Sequence, residues 1–238
     1  MAARKTERSS QFYDLLNDRW KAAHDLSARG RRQLQAIDTR LLHRYERTLS
    51  PLVIDMSGFT RLTLRHGILH YLSLIRQMVK QVEPEIRHHR GRIVKQEADN
   101  VYAAFPNTAL ALAAAIKVRE TLHAANLDDH KAFEIYVSMG VGHGPVLDLG
   151  YDMWGAEFNL ACKLGEDVAD RDEILLTEAA RADLLAQGLR GYRFSRLPVI
   201  LGSLELTAYK LKGRTGKRPR KMAALLTAPA SRAKSTRE

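Results

Sequence analysis

From residue 50 the chain reads strand, helix, strand, strand, helix, strand. That order predicts an α/β (α+β) fold with a split-βαβ, ferredoxin-like βαββαβ core. Three observations carry the expectation. "PLVID", "RIVKQ" and "NVYAAF" are apolar runs of strand length. The stretches between and after them, "GFTRLTLRHGILHYLSLIRQMVKQVEPEIRHH" and "TALALAAAIKVRETLHAA", place apolar or alanine positions at helical spacing. Further α and β pieces follow the core, and two helical runs precede it as an N-terminal helical segment.

Taken in order, residues 9–28 form an amphipathic helix that Ser9 or Ser10 can cap, with Phe12, Leu15, Leu16, Trp20 and Ala23 on one face. Gly30 interrupts, and Leu34, Ile37, Leu41 and Tyr45 mark a second helix. The pair reads as a helical hairpin packing on the domain or on a regulatory partner. "PLVID" is a buried strand ending in Asp55, and the helix after it carries Leu62, Ile68, Leu72, Ile75, Met78, Val79 and Val82. "RIVKQ" and "NVYAAF" make a hairpin whose tight reversal lies between Lys95 and Asp99. In "FEIYVSMGVGHGPVLDLG", Gly142, Gly144 and Gly150 fit a tight β-hairpin and are too loosely spaced for a dinucleotide fingerprint. "WGAEFNLACKLGEDVA" is helical, "DEILLT" is a strand, and "YRFSRLPV" with "ELTAYKL" closes the domain as a strand pair. The expected division is 1–48 helical segment, 49–211 catalytic-type domain, and 212–238 a basic tail without lasting periodicity.

Composition narrows the function classes. Hydrophobic residues make up 45% of 238, enough for a core, and no apolar run is long enough to span a membrane. The opening "MAARKTERSS" shows no secretory pattern, and a single cysteine, Cys162, excludes an internal disulfide framework; both fit a cytoplasmic protein. The formal charge of +11 comes from the ends: +5 in residues 1–48, +8 in 212–238 and −2 between them. A near-neutral centre argues against specific nucleic-acid binding.

Asp55 ends one apolar strand and Asp99 stands at the start of another that the core topology sets beside it. Two bare carboxylates that close repel, and a divalent cation relieves them; hard oxygens suit Mg²⁺ held together with substrate phosphates. "SGFT" after Asp55 opens a helix whose free N–H groups suit a polyphosphate. As isolated residues, Asp55 and Asp99 are equally turn and cap residues. His66 and His70 lack a third ligand, His88 and His89 point apart on a helix, His143 is a turn residue, and Cys162 reads as a small buried hydrophobe.

"VIDMSGFTRLT", "RIVKQEADNVYAAF" and "YDMWGAEFNLACKLGE" together resemble three ordered motifs of the class III nucleotidyl cyclase catalytic domain, over roughly residues 50–211. The resemblance implies a homodimer with interfacial sites that closes a nucleoside triphosphate to its 3′,5′-cyclic monophosphate. It implies that Asp55 and Asp99, with the Met56 carbonyl, hold two Mg²⁺ or Mn²⁺ ions, and that N–H groups around Gly58, Phe59 and Thr60 cradle the triphosphate. Lys95 and Asp152 of the other copy match the pair that reads the purine. A lysine facing adenine N1 and a carboxylate facing the amine suit ATP. Asn159 matches the residue that orients the ribose and reacting phosphate. The expected activity is that of an adenylate cyclase; the alternatives are a guanylate cyclase and a catalytically weak nucleotide-binding regulatory module. Three positions depart from the pattern. Lys163 replaces an arginine that stabilises the reacting phosphate, Leu201 stands near the place of a phosphate-binding lysine, and Ala98 replaces the glycine before Asp99.

Overall fold

Two helices lead into one long strand. The computed structural model describes residues 2–128, 132–202 and 204–214. Helix α1 (Ala2–His24) and α2 (Ala28–Tyr45) form the expected hairpin. Their seam joins Phe12, Ile37, Leu41 and Tyr45 to Leu147, Leu149 and Tyr151 of the following domain. Each fully buried large apolar side chain there contributes roughly 1.5–3 kcal/mol. The details differ from the sequence reading. Helix α1 begins before Ser9 and Ser10, so neither caps it; Ser10 Oγ instead donates to Asp14 at 3.3 Å. Trp20 and Ala23 lie on the exposed side. Gly30 is inside α2, and the break falls at Asp25–Ser27, where the Ser27 hydroxyl caps α2 by accepting from the Gly30 N–H at 3.1 Å.

Strand β1 (Glu46–Met56) crosses the expected 48/49 boundary. Its second half is the middle of the ferredoxin-like core. Around it run α3 (Phe59–His66), α4 (Ile68–His88), β2 (Arg92–Glu97), β3 (Asn100–Phe105), α5 (Thr108–Asp128) and β4 (Val137–Val141). The sheet order is β2-β3-β1-β4, with β1 antiparallel to both neighbours. Leu52 and Ile54 face the core built on α4 and the alanine-rich α5, while Val53 faces the other side with Val94, Tyr102, Phe158 and Ala161. The single predicted helix after Asp55 is two helices broken at Gly67. That break turns Ile68 and Leu72 outward, 49% and 52% exposed, and buries Tyr71 and Leu74 in their place.

The expected β4–β5 hairpin is not formed. Strand β5 (Gly144–Asp148) pairs with Glu46–Leu49 of β1 and with the short β6 (Met153–Trp154), while β4 pairs with Leu52–Met56. Both strands are thus claimed by the length of β1. Helix α6 (Ala156–Lys163) and a π-helical turn (Leu164–Val168) then lie on β1 and β4. A Cβ on Gly140 would meet the Ala161 carbonyl oxygen at 2.0 Å, so only glycine lets α6 approach this closely. Strand β7 (Ile174–Leu176) runs parallel to β4, α7 (Glu178–Ala186) follows, and β8 (Tyr192–Leu201) with β9 (Leu204–Arg214) closes the sheet. Residues 212–214 therefore belong to β9, and the rest of the expected tail lies outside the described residues. No helix among the described residues is long and apolar enough to cross a membrane.

Candidate active site at the end of the central strand

Pairing of β1 with β3 sets Asp55 opposite Asn100, so Asp99, in the turn just before β3, stands beside Asp55. The two carboxylates feel each other. Burial first, then the charges of Asp99 and Glu166, push the Asp55 carboxyl up to about 7. Asp99 accepts a 2.6 Å hydrogen bond from the Tyr71 hydroxyl of α4. Burial and that bond in turn raise the Tyr71 phenol well above its ordinary value. Ala98, before Asp99, adopts φ 50°, a left-handed conformation that costs a residue with a Cβ roughly 1–2 kcal/mol. Tyr71 escaped the sequence reading because the expected buried face ran through Ile68 and Leu72; the break at Gly67 turns Tyr71 inward instead and brings its hydroxyl to the site.

Among the described residues, no group of three or more His, Cys, Asp or Glu side chains could hold a metal alone. Two carboxylates meeting under mutual repulsion still suit a hard divalent cation that takes its remaining ligands from the Met56 carbonyl and from phosphate. Two residues after Met56, Gly58 takes φ 99° and opens α3. The N–H groups of Phe59 and Thr60, in the first turn, have no partner within the helix. The Phe59 ring stacks edge-on against Tyr71, with centroids 4.8 Å apart.

The middle of β2, where Lys95 lies opposite Tyr102, holds the second constellation. Lys95 Nζ lies 3.0 Å from Asp152 Oδ1 and 3.1 Å from Glu97 Oε1, and 5.1 Å from the centre of the Tyr102 ring. Burial opposes the ammonium charge, but its bonds to Asp152 and Glu97 outweigh that and hold the amine above its usual value. Asp152 sits in a fixed loop. Its main-chain carbonyl accepts from the Leu149 N–H at 3.0 Å, its side chain from the Met153 N–H at 2.8 Å, and Arg92 ties Asp148 and the Gly150 carbonyl to β2.

Asn159 and Lys163 project from α6, one turn apart and exposed. Lys163 pairs with Asp167 at 2.7 Å. Tyr102 donates to Glu166 at 3.0 Å, and burial raises Glu166 above the ordinary carboxylate value. Cys162 is pushed up to about 12 by burial and then by Glu166, so its thiol stays protonated and unreactive. Elsewhere, His70 donates to the Ala132 carbonyl at 2.7 Å, and His143 Nδ1 lies 2.9 Å from the Ser50 hydroxyl. Lys210 pairs with Glu173 and is not free to meet a phosphate.

No protein-family model matches the chain. In sequence it is 26% identical over 127 residues to a protein of Rhizobium meliloti (strain 1021) described as putative adenylate cyclase 3; the match covers 53% of this chain and 22% of that protein. Three solved structures share the architecture. The adenylyl cyclase CyaB of P. aeruginosa superposes with a TM-score of 0.60 at 18% identity, over 73% of this chain and 96% of that one. An adenylate/guanylate cyclase/hydrolase of Silicibacter pomeroyi gives 0.59 at 21%, over 70% and 96%. The guanylate cyclase domain of RhGC from Catenaria anguillulae, solved in complex with GTP, gives 0.57 at 15%, over 71% and 98%. The fold is that of the class III nucleotidyl cyclase catalytic domain.

Proposed function

We propose that the protein is a nucleotidyl cyclase that converts a purine nucleoside triphosphate, preferentially ATP, to its 3′,5′-cyclic monophosphate and pyrophosphate. The observation that carries this reading is the hairpin β2–β3. Its turn brings Asp99 to Asp55, and the middle of β2 brings Lys95 to Asp152. In the reaction the ribose 3′-oxygen bonds to the α-phosphorus, the bond from that phosphorus to the bridging oxygen breaks, and pyrophosphate leaves with its electron pair. Asp55, Asp99 and the Met56 carbonyl would hold two Mg²⁺ or Mn²⁺ ions, which supply acidification of the 3′-hydroxyl and neutralisation of phosphate charge. The Phe59 and Thr60 N–H groups bind phosphate oxygens. Lys95 donates to adenine N1, and Asp152 accepts from the exocyclic amine. Asn159 orients the ribose and the reacting phosphate, and Lys163 places positive charge beside that phosphate.

The two halves serve different sites of a two-fold dimer, with Lys95, Asp152, Asn159 and Lys163 completing the carboxylate end of a second copy. Exposed Phe59, Leu69, Leu72 and Trp154 offer apolar surface for such pairing. One feature supports guanine as a second reading. Glu97 adds a carboxylate beside Lys95, and guanine needs acceptors for N1–H and its amine and a donor for O6.

The test is product analysis with ATP and with GTP, in Mg²⁺ and in Mn²⁺, against Asp55→Ala protein. Cyclic AMP in excess of the control supports the reading, and cyclic GTP exceeding cyclic AMP transfers it to guanine. Nucleotide binding without turnover leaves a regulatory module.

A further inference from the structure

A cavity of about 400 Å³ opens beside Ser57 and Gly58. Three guanidinium groups line it: Arg61 and Arg65 from successive turns of α3, and Arg171 from the turn before β7. Among the described residues none of the three has a carboxylate within 4 Å, and Arg171 is held over the Tyr136 ring. Glu134 is the one carboxylate in the lining. The cavity thus carries a surplus of two positive charges and adjoins the turn that follows Asp55. A Cβ at Gly58 would lie 3.8 Å from an Arg61 nitrogen, so the guanidinium reaches the mouth of α3. Planar forks of this kind match phosphate oxygens two at a time.

We infer that Arg61, Arg65 and Arg171 bind the terminal phosphates of the triphosphate and the pyrophosphate product. They supply the cations that Leu201 cannot provide at the end of β8 and that Lys210 has committed to Glu173. The anion chemistry stands on the cavity itself; its assignment to a nucleotide tail rests on the cyclase reading above.

The test is calorimetric binding of inorganic pyrophosphate to the full chain in the presence of EDTA, repeated at rising salt. Arg61→Gln/Arg65→Gln and Arg171→Gln each weaken binding at least about tenfold, a loss of about 1.4 kcal/mol. Each also flattens the salt dependence, and Glu134→Gln tightens binding. Arg61 and Arg65 are exposed, so their variants keep the fold, as circular dichroism checks. No pyrophosphate binding by the wild-type chain, or affinities of the arginine variants within about twofold of it, overturns the assignment. The two readings separate cleanly. Arginine-dependent pyrophosphate binding in a protein that forms no cyclic nucleotide keeps this site and removes the cyclase. Cyclic-nucleotide formation with an unchanged KM for ATP in the arginine variants does the reverse.

Discussion

The turn of the β2–β3 hairpin and the middle of its first strand are built on opposite electrostatic logic. At the turn, Asp55 and Asp99 crowd each other, and burial first, then the charge of Asp99, pushes Asp55 up to about 7. In the middle of β2 the charge is already paired, with the Lys95 ammonium group between Asp152 and Glu97 at 3.0 and 3.1 Å. The first is a carboxylate pair whose mutual repulsion a divalent cation would relieve. The second is a preformed donor–acceptor pair that, in the proposed function, exchanges its own contacts for those of a base. Metal and base recognition should therefore respond differently to mutation, pH and salt.

The largest effect belongs to the carboxylate pair. Asp55→Ala or Asp99→Ala lowers cyclic-nucleotide formation by at least about 100-fold, because the site loses a ligand for charge that develops in the transition state. Chromatographic product assays read this directly. The paired lysine should give a smaller and more selective loss. Lys95→Ala lowers kcat/KM for ATP by about 10–100-fold and narrows the ATP-to-GTP ratio, since one hydrogen-bonded base contact is worth roughly 1–3 kcal/mol. An unchanged ratio would break the contrast between the carboxylate pair and the paired lysine.

Lys163 tests an intermediate case. In the proposed reaction it brings a cation to the reacting phosphate; in the structure it is paired with Asp167 at 2.7 Å, and that bond holds its amine above the usual value. Lys163→Arg raises kcat by about tenfold or less, restoring part of the ~2.7–4 kcal/mol that one transition-state donor supplies. Steady-state kinetics, in which kcat moves more than KM, checks it.

Stability gives two finer probes. A carboxyl group whose folded value lies above its unfolded one stabilises the fold when protonated, and that contribution fades as pH rises. For metal-free protein the Asp55 contribution is lost on the way up to about pH 7, so thermal midpoints are higher at pH 5.5 than at pH 8 on its account. Asp55→Asn flattens that slope, as differential scanning calorimetry would show. Ala98→Gly removes the left-handed strain beside Asp99 and raises stability by roughly 1 kcal/mol, with activity kept within about twofold.

Much of this was legible in the sequence. Strand runs and helical spacing fixed the βαββαβ order, and that order alone set Asp55 beside Asp99. What escaped depended on contacts distant in sequence. Nothing in "GVGHGPV" says that β1 is long enough to take both β4 and β5 and so prevent their pairing. Ile68 and Leu72 carry a helical signal, but the break at Gly67 decides which face is buried. Tyr71 and Glu166 were illegible as neighbours of the carboxylates because only the folded packing brings their polar ends there, and only the fold sets Arg61, Arg65 and Arg171 around one cavity beside Ser57.

The central claim is that a working site takes its carboxylates from one copy and its Lys95, Asp152, Asn159 and Lys163 from another. Mixing Asp55→Ala protein with Asn159→Ala protein tests it most directly. Each alone should be inactive. If the two-fold account is right, equal mixing restores about a quarter of wild-type cyclic-nucleotide formation, from the one intact site of each mixed dimer. If mixtures that demonstrably exchange subunits stay as inactive as their components, each chain holds its own complete site and the account is contradicted.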